Sequence, residues 1–296
     1  MSSTIQSRPD PRTRFSQKEL PPQQQEVPGK EKELSPLADH GENSYKGSGK
    51  LKDTAAVITG ADSGIGRSVA IAYAREGADV MIAYLEETED AQETATWVEK
   101  AGQKSVLSAG DIGSEEYCIS LIEQTFEEFG KLDILVNNAA FQMPWDELEE
   151  WSSEQFEYTF RTNLFSMFYL CKAALPRMKP GGVIINTASI QAYQPSAELL
   201  DYAASKSAIV GFTKALSKIA IESGVRVNAV APGPVWTPLI PSTFDEKKVQ
   251  EFGKNTLFDR PAQPSELAPL FVFLASPEAS YVTGEVYGAT GGRSPF

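Results

Sequence analysis

The chain has 296 residues, 41% of them hydrophobic and 23% charged, and its 27 basic and 40 acidic side chains give a formal charge of −13. Such a chain is globular and long enough for one large domain or two small ones. Its acidity sets it against nucleic-acid backbones, so an anionic ligand must be held by local dipoles and donors. One histidine, His40, and two distant cysteines, Cys118 and Cys171, leave almost nothing for a serine–histidine triad, a histidine metal site or a disulfide framework. Both cysteines read as core or boundary thiols. No apolar run approaches the roughly 18 residues of a membrane span, and "MSSTIQSRPDPRTRFSQKELPPQQQ" has no apolar secretory core, so a cytoplasmic protein is expected.

Residues 1–50 are rich in Pro, Gln, Glu, Lys and Gly and lack periodicity. They read as an extended tail, lying over the domain surface or a neighbouring subunit. Residues 51–296 read as one domain. Short apolar runs recur at 55–59, 79–83, 105–109, 133–137, 182–187, 225–230 and 285–289, bounded by Gly, Asp or Asn. Apolar on both faces, they suit parallel strands covered by helices on both sides. Helix-length stretches lie between them: "IGRSVAIAYAREG" ends at Gly77 and "SKSAIVGFTKALSKIAIESG" at Gly224, both suited to a left-handed helix end. The alternation predicts an α/β fold with a doubly wound parallel sheet of about seven strands.

After the first run comes "TGADSGIG", residues 59–66. Gly60, Gly64 and Gly66 at a strand-to-helix turn let a backbone approach a diphosphate, while the N–H groups of the new helix point at the anion. Asp62, Ser63 and Ile65 complete this cradle. At the second strand's end, in "IAYLEETED", Tyr84 stands where an acid would grip a ribose and Leu85 where an arginine would take a 2′-phosphate. Glu86 and Glu87 lean the cofactor toward NAD over NADP; Arg67 is the cation that would reverse this, and the two glutamates equally suit a plain solvated loop. In "GDI", Asp111 either accepts from an adenine amino group or caps the next helix, with Ile112 beside it. Asn137 and Asn138 end the fourth run, followed by the small Ala139 and Ala140. "EQFEYTFRTNLFSMFYLCKAALPRM" (154–178) reads as one long helix with Asn163 as its odd polar member. That residue is either a helix-bending hydrogen bonder or part of a water relay.

Ser189 follows the fifth run, and Tyr202 and Lys206 follow it, one helical turn apart on one face. An ammonium about 4 Å from a phenol is worth roughly 4 kcal/mol to the phenolate at an effective dielectric of about 20, lowering its pKa by up to about 3 units. Such a phenol is a usable general acid or base for hydride transfer at a carbonyl, with the Ser189 hydroxyl holding the oxygen. YxxxK alone is weak; joined to a serine at a strand end and a phosphate cradle it is specific.

"TGADSGIG", "NNAA", Asn163, Ser189, "YAASK" and "PGPVWT" together resemble the short-chain dehydrogenase/reductase family over about residues 51–293. The tail and "IQAYQPS" are similar to its glucose/ribitol dehydrogenase-like or aldehyde reductase-like branch. The resemblance implies a single Rossmann-type domain, NAD or NADP as cofactor, and a catalytic set at Asn163, Ser189, Tyr202 and Lys206. It also implies cofactor contacts from Pro232, Gly233, Val235 and Thr237, and a homotetramer or homodimer. Ala140 departs from the family's usual glycine, and Thr290 from a common aspartate. A long loop, 237–264, is the expected substrate lid. Gln142, Trp145, Gln191, Tyr193 and Trp236 are candidate pocket walls for a polyol, a small aldehyde or an aromatic ketone, although the tryptophans equally suit a core. The competing function is a dinucleotide-binding redox sensor or structural protein with little turnover.

Overall fold

In a computed structural model, which describes residues 10–15 and 19–293, seven parallel strands form one sheet in the order β3-β2-β1-β4-β5-β6-β7. They are β1 (Thr54–Thr59), β2 (Ala78–Tyr84), β3 (Ser105–Ala109), β4 (Ile134–Asn137), β5 (Val183–Thr187), β6 (Arg226–Pro232) and β7 (Val286–Ala289). The helices are α1 (Gly64–Arg75), α2 (Thr88–Lys100), α3 (Glu115–Phe129), α4 (Ser153–Phe160), α5 (Ser166–Ala174), α6 (Leu200–Ala220), α7 (Leu239–Thr243), α8 (Glu246–Glu251) and α9 (Pro264–Ala275). Each expected strand is present, its bounds shifted by at most a residue or two.

Alternation along the strands divides the core. Ile58, Val80, Val136 and Ile185 pack against α1, α2 and α9 through Val69, Tyr73, Val98 and Phe271. Their neighbours Val57, Met81, Leu135 and Ile184 face α3 and α5 through Leu121, Ile122, Leu170 and Cys171. Successive side chains on a strand point to opposite faces, so a sheet buried on both sides reads as a continuous apolar run. Strand order reverses between β1 and β4, whose residues pair in parallel at Ala56 with Ile134 and Ile58 with Val136. A ligand crevice is expected outside the carboxyl ends of strands at such a reversal.

Residues 154–178 differ from one regular helix. Between α4 and α5 the chain widens into a π-helical turn, Arg161–Phe165, with Asn163 inside it, and a 3-10 turn follows at Leu175–Arg177. Single π turns are a recurrent device for re-aiming a helix near a functional site. Among the described residues no helix is long and apolar enough to cross a membrane, and no cluster of His, Cys, Asp and Glu fit for a metal occurs. Both cysteines are buried and free, and burial pushes each thiol up to about 12.

The segment before β1 lies against its own chain. Leu20, Leu34 and Ala38 are buried in one cluster with Tyr202, Trp236, Ile240 and Phe244. Farther on, Arg75 Nη1 donates to the carbonyls of Gly41 (2.7 Å) and Tyr45 (2.6 Å), and Tyr45 donates to Glu76 at 2.6 Å.

Candidate active site

The glycine turn fits a dinucleotide on steric grounds. Gly60 and Gly64 hold φ of 64° and 51°, in the left-handed region glycine tolerates. A Cβ on Gly66 would sit 1.9 Å from the Gly60 carbonyl oxygen, so α1 starts directly against the turn. Gly64 N–H donates to Glu31 at 2.8 Å and Arg67 N–H to the Ser63 carbonyl at 2.9 Å. Among the described residues no protein acceptor meets the N–H groups of Ile65 and Gly66. These first-turn donors, and the helix dipole behind them, suit a diphosphate. Asn138 fastens β4 to this turn: its N–H donates to Thr59 Oγ1 (2.9 Å) and its amide to the Thr59 carbonyl (3.1 Å). Asn137 ties β4 to β5 through Asn186 at 2.8 Å.

A cavity of about 500 Å³ opens along the carboxyl edge. At one end it is lined by Asp62, Tyr84, Leu85, Glu87, Asp111 and Ile112. Burial and the nearby Glu87 charge raise the Asp62 carboxyl to about 7. Glu86 does not line the cavity. Arg67 does not reach it either: it is 2% exposed, donating to the carbonyls of Asp62 (2.8 Å) and Asp90 (3.0 Å) and pairing with Asp90 at 3.6 Å. Asp111 Oδ1 accepts from Gly113 N–H at 2.7 Å, while Ser114 caps α3.

Past the end of β5, Ser189, Tyr202 and Lys206 line the same cavity, as do Ala139 and Ala140 after β4 and Pro232, Gly233, Val235 and Thr237 at the end of β6 and beyond. Ser189 is held just past β5, where its Oγ accepts from Gln191 N–H at 3.1 Å. Lys206 Nζ lies 5.4 Å from the Tyr202 ring centre and donates to the Thr187 carbonyl at 2.7 Å. The titration differs from the expected lowered phenol. Burial pushes Tyr202 up to about 12 against a smaller downward pull from its hydrogen bond with Ser189. Burial alone pulls Lys206 down to about 7. Desolvation, which disfavours both charged forms, outweighs the attraction between them in a site this enclosed.

Asn163 does not line the cavity. Its Oδ1 accepts from Phe141 N–H at 2.8 Å, and its Nδ2 donates to the Phe141 carbonyl (2.9 Å) and to Ser205 Oγ (3.0 Å). Ser205 in turn donates to the Tyr202 carbonyl at 2.7 Å. Asn163 thus bonds the chain after β4 to the helix carrying Tyr202.

Among the expected pocket walls, Gln142 and Gln191 line the cavity. Gln142 donates to Thr243 of α7 at 2.9 Å, tying the lid to the chain after β4. Trp236 does not: it is fully buried and donates from its indole to the Pro36 carbonyl at 2.9 Å. Trp145 and Tyr193 also stand off the cavity, Trp145 donating to Gln155 at 2.7 Å. Sequence reasoning missed Val27, Pro28 and Gly29, which line the cavity from the N-terminal segment, and the buried Glu31 behind the phosphate turn. No pattern within that polar segment marks them. It also missed Asp201, fully buried at the start of α6, which accepts from Tyr202 N–H at 2.7 Å and from Thr159 at 2.6 Å.

A family model described as enoyl-(acyl carrier protein) reductase matches residues 60–294. The uncharacterized oxidoreductase YhdF of Bacillus subtilis is 51% identical over 284 residues, 96% of this chain and 98% of that one. The chain belongs to the short-chain dehydrogenase/reductase family. It is an NAD(P)-dependent oxidoreductase of that family, in a branch that includes glucose and ribitol dehydrogenase of Daucus carota, 46% identical over 93% of this chain and 97% of that one. Among solved structures, L-sorbose reductase of Gluconobacter frateurii, complexed with NADPH and L-sorbose, superposes with a TM-score of 0.75 at 32% identity, covering 82% of this chain and 97% of that one.

Proposed function

We propose that this short-chain dehydrogenase/reductase interconverts an alcohol and a carbonyl on a polyol, sugar or small aldehyde, with Tyr202 as the proton-transferring group. A bound nicotinamide cofactor would supply or accept the hydride. Gly60, Ser63, Gly64, Ile65 and Gly66 would form the turn around its diphosphate, with the N–H groups of Ile65 and Gly66 as the donors left for it, Asp111 and Ile112 would flank its adenine, and Thr237 would meet its nicotinamide end. Tyr202, kept protonated by burial, gives its phenolic proton to the carbonyl oxygen in the reductive direction and regains one when an alcohol is oxidised. Ser189 Oγ–H holds the same oxygen and stabilises its developing charge. Lys206 orders the phenol and would reach the cofactor's ribose, while Asn163 positions α6. The observation that carries this reading is the convergence of Ser189, Tyr202 and Lys206 on one cavity whose other end is the glycine turn.

The substrate class draws support from the amides of Gln142 and Gln191 beside apolar Leu199, Ile240 and Phe244 in the same wall, a mixture suited to a hydroxylated carbon chain. The carrot and Gluconobacter relatives act, by their names, on ligands of this kind. We propose NAD as the preferred cofactor, because the Glu87 carboxylate on the cavity wall opposes an added 2′-phosphate and Arg67 is committed elsewhere. The exposed Phe165 and Phe168 support a homodimer or homotetramer.

A panel of polyols, sugars and aldehydes, followed at the reduced-nicotinamide absorbance with each cofactor, tests the reading. Tyr202→Phe is expected to keep cofactor binding and to lose about 10²–10⁴ in kcat, the usual contribution of a positioned acid–base group. A variant within tenfold of the parent rate removes Tyr202 from the chemistry.

A further inference from the structure

The N-terminal segment does more than cover the surface. Val27, Pro28 and Gly29 form part of the cavity wall, on the side where the glycine turn meets the chain entering α7. A Cβ on Gly29 would lie 2.5 Å from the Pro238 carbonyl oxygen, so the segment rests directly on that chain. Gln25 N–H donates to the Pro241 carbonyl at 2.8 Å, and Trp236 donates to the Pro36 carbonyl. Pro238 itself comes within 4.0 Å of a Cβ built on Gly64. The segment therefore bridges the lid and the phosphate turn.

Glu31 secures the other side. Its carboxylate, 2% exposed, accepts from Gly64 N–H at 2.8 Å and pairs with His40 Nε2 at 3.2 Å. Its own N–H donates to Asp90 of α2 at 2.7 Å. Helix α1 thus meets a fixed carboxylate through its first N–H, while its next two N–H groups remain for a ligand.

We infer that the N-terminal segment completes the dinucleotide site, residues 27–29 roofing the cavity beside the phosphate turn and Glu31 holding that turn in place. This rests on the proposed dinucleotide occupancy. A ligand that touches residues 27–29 favours their docked position, and docking favours the ligand by the same factor. The segment is therefore a positioning element of the cofactor site, and cofactor escape requires it to lift.

The test uses the full chain and two variants, Gly29→Val, which drives a side chain into the Pro238 carbonyl, and Glu31→Ala. NADH and NADPH binding and release are followed by nicotinamide fluorescence, with thermal melts checking that each variant folds. Each variant is expected to weaken binding roughly tenfold, within the range of ordinary coupling energies, chiefly through faster release. In the parent protein, amide hydrogen exchange across residues 25–35 is expected to slow when NADH is added. Folded variants with parental affinity and release rate overturn the inference, as does tighter binding, which would make the segment a plug. Exchange at 25–35 that ignores bound NADH overturns it even if neither variant folds. A parent protein that binds neither dinucleotide overturns the occupancy reading and this inference with it, an outcome distinct from the others.

Discussion

Lys206 is a costly side chain to bury, and Lys206→Met is expected to make the protein more stable while destroying its turnover. The ammonium is 1% exposed, and among the described residues it hydrogen-bonds to the Thr187 carbonyl. Its pKa falls from 10.5 to about 7 through burial alone, which at about 1.4 kcal/mol per unit places the cost of burying the charge at roughly 5 kcal/mol. Methionine keeps most of the volume and loses that hydrogen bond, worth about 1–2 kcal/mol. The net gain is about 3 kcal/mol, or roughly 6–10 °C in Tm. The sign of the pH dependence follows from the lowered pKa. Between about pH 7 and 10.5 the unfolded chain holds a proton on this lysine that the folded chain has released, so its penalty shrinks as pH rises. The penalty is complete below about 7 and absent above 10.5. Thermal or urea unfolding of the cofactor-free proteins, at steps from about pH 6 to 10, should show the variant's advantage greatest at the acid end and lost or slightly reversed at the alkaline end, where the missing hydrogen bond is all that remains. Other groups titrate in the same range, and the difference between the two curves removes them. A variant less stable than the parent at neutral pH, or an advantage independent of pH, would show that burial of this charge is not what costs the fold.

Gly66→Ala places a methyl 1.9 Å from the Gly60 carbonyl oxygen and 2.8 Å from the Asn138 amide nitrogen. Backbone on that side cannot yield cheaply, so a loss of about 1–3 kcal/mol in a thermal melt and at least tenfold weaker NADH binding are expected; a parental melt and affinity would show that α1 does not need this approach. Glu87→Gln removes a carboxylate from the cavity wall that opposes a 2′-phosphate, a gain only partly offset by readier ionisation of the buried Asp62. The NADPH-to-NADH affinity ratio should rise about fivefold, corresponding to about 1 kcal/mol, and an unchanged ratio would mean that Glu87 does not face the ribose.

The reach of sequence reasoning is clearest where one stretch carries all of its own constraints. Runs such as "AAVIT" and "GVIINT" are legible as buried parallel strands because both faces must be apolar, and β1 and β5 lie there. The glycine turn is legible because close backbone approach excludes side chains, and Gly60, Gly64 and Gly66 each meet a neighbour that a Cβ would disturb. The spacing of Tyr202 and Lys206 places them on one face of α6, beside a serine at the end of β5. Trp236 shows the opposite case. Its place just before the expected substrate loop suggests a pocket wall, but the N-terminal segment supplies a carbonyl for its indole and it turns inward.

The local pattern of this chain determined its strands, its helices and the residues that could do acid–base chemistry, because period and turn chemistry are written within a few neighbours. Burial depth was decided only by tertiary structure. The same lysine that a linear view treats as a charge acting on Tyr202 is enclosed so fully that desolvation governs both groups. The π turn that lets Asn163 bond Phe141 and Ser205, and the docking of a polar tail through Glu31 onto α1, depend on partners far away in the chain. Contacts between distant segments leave no period in either one, so only the folded molecule reveals them.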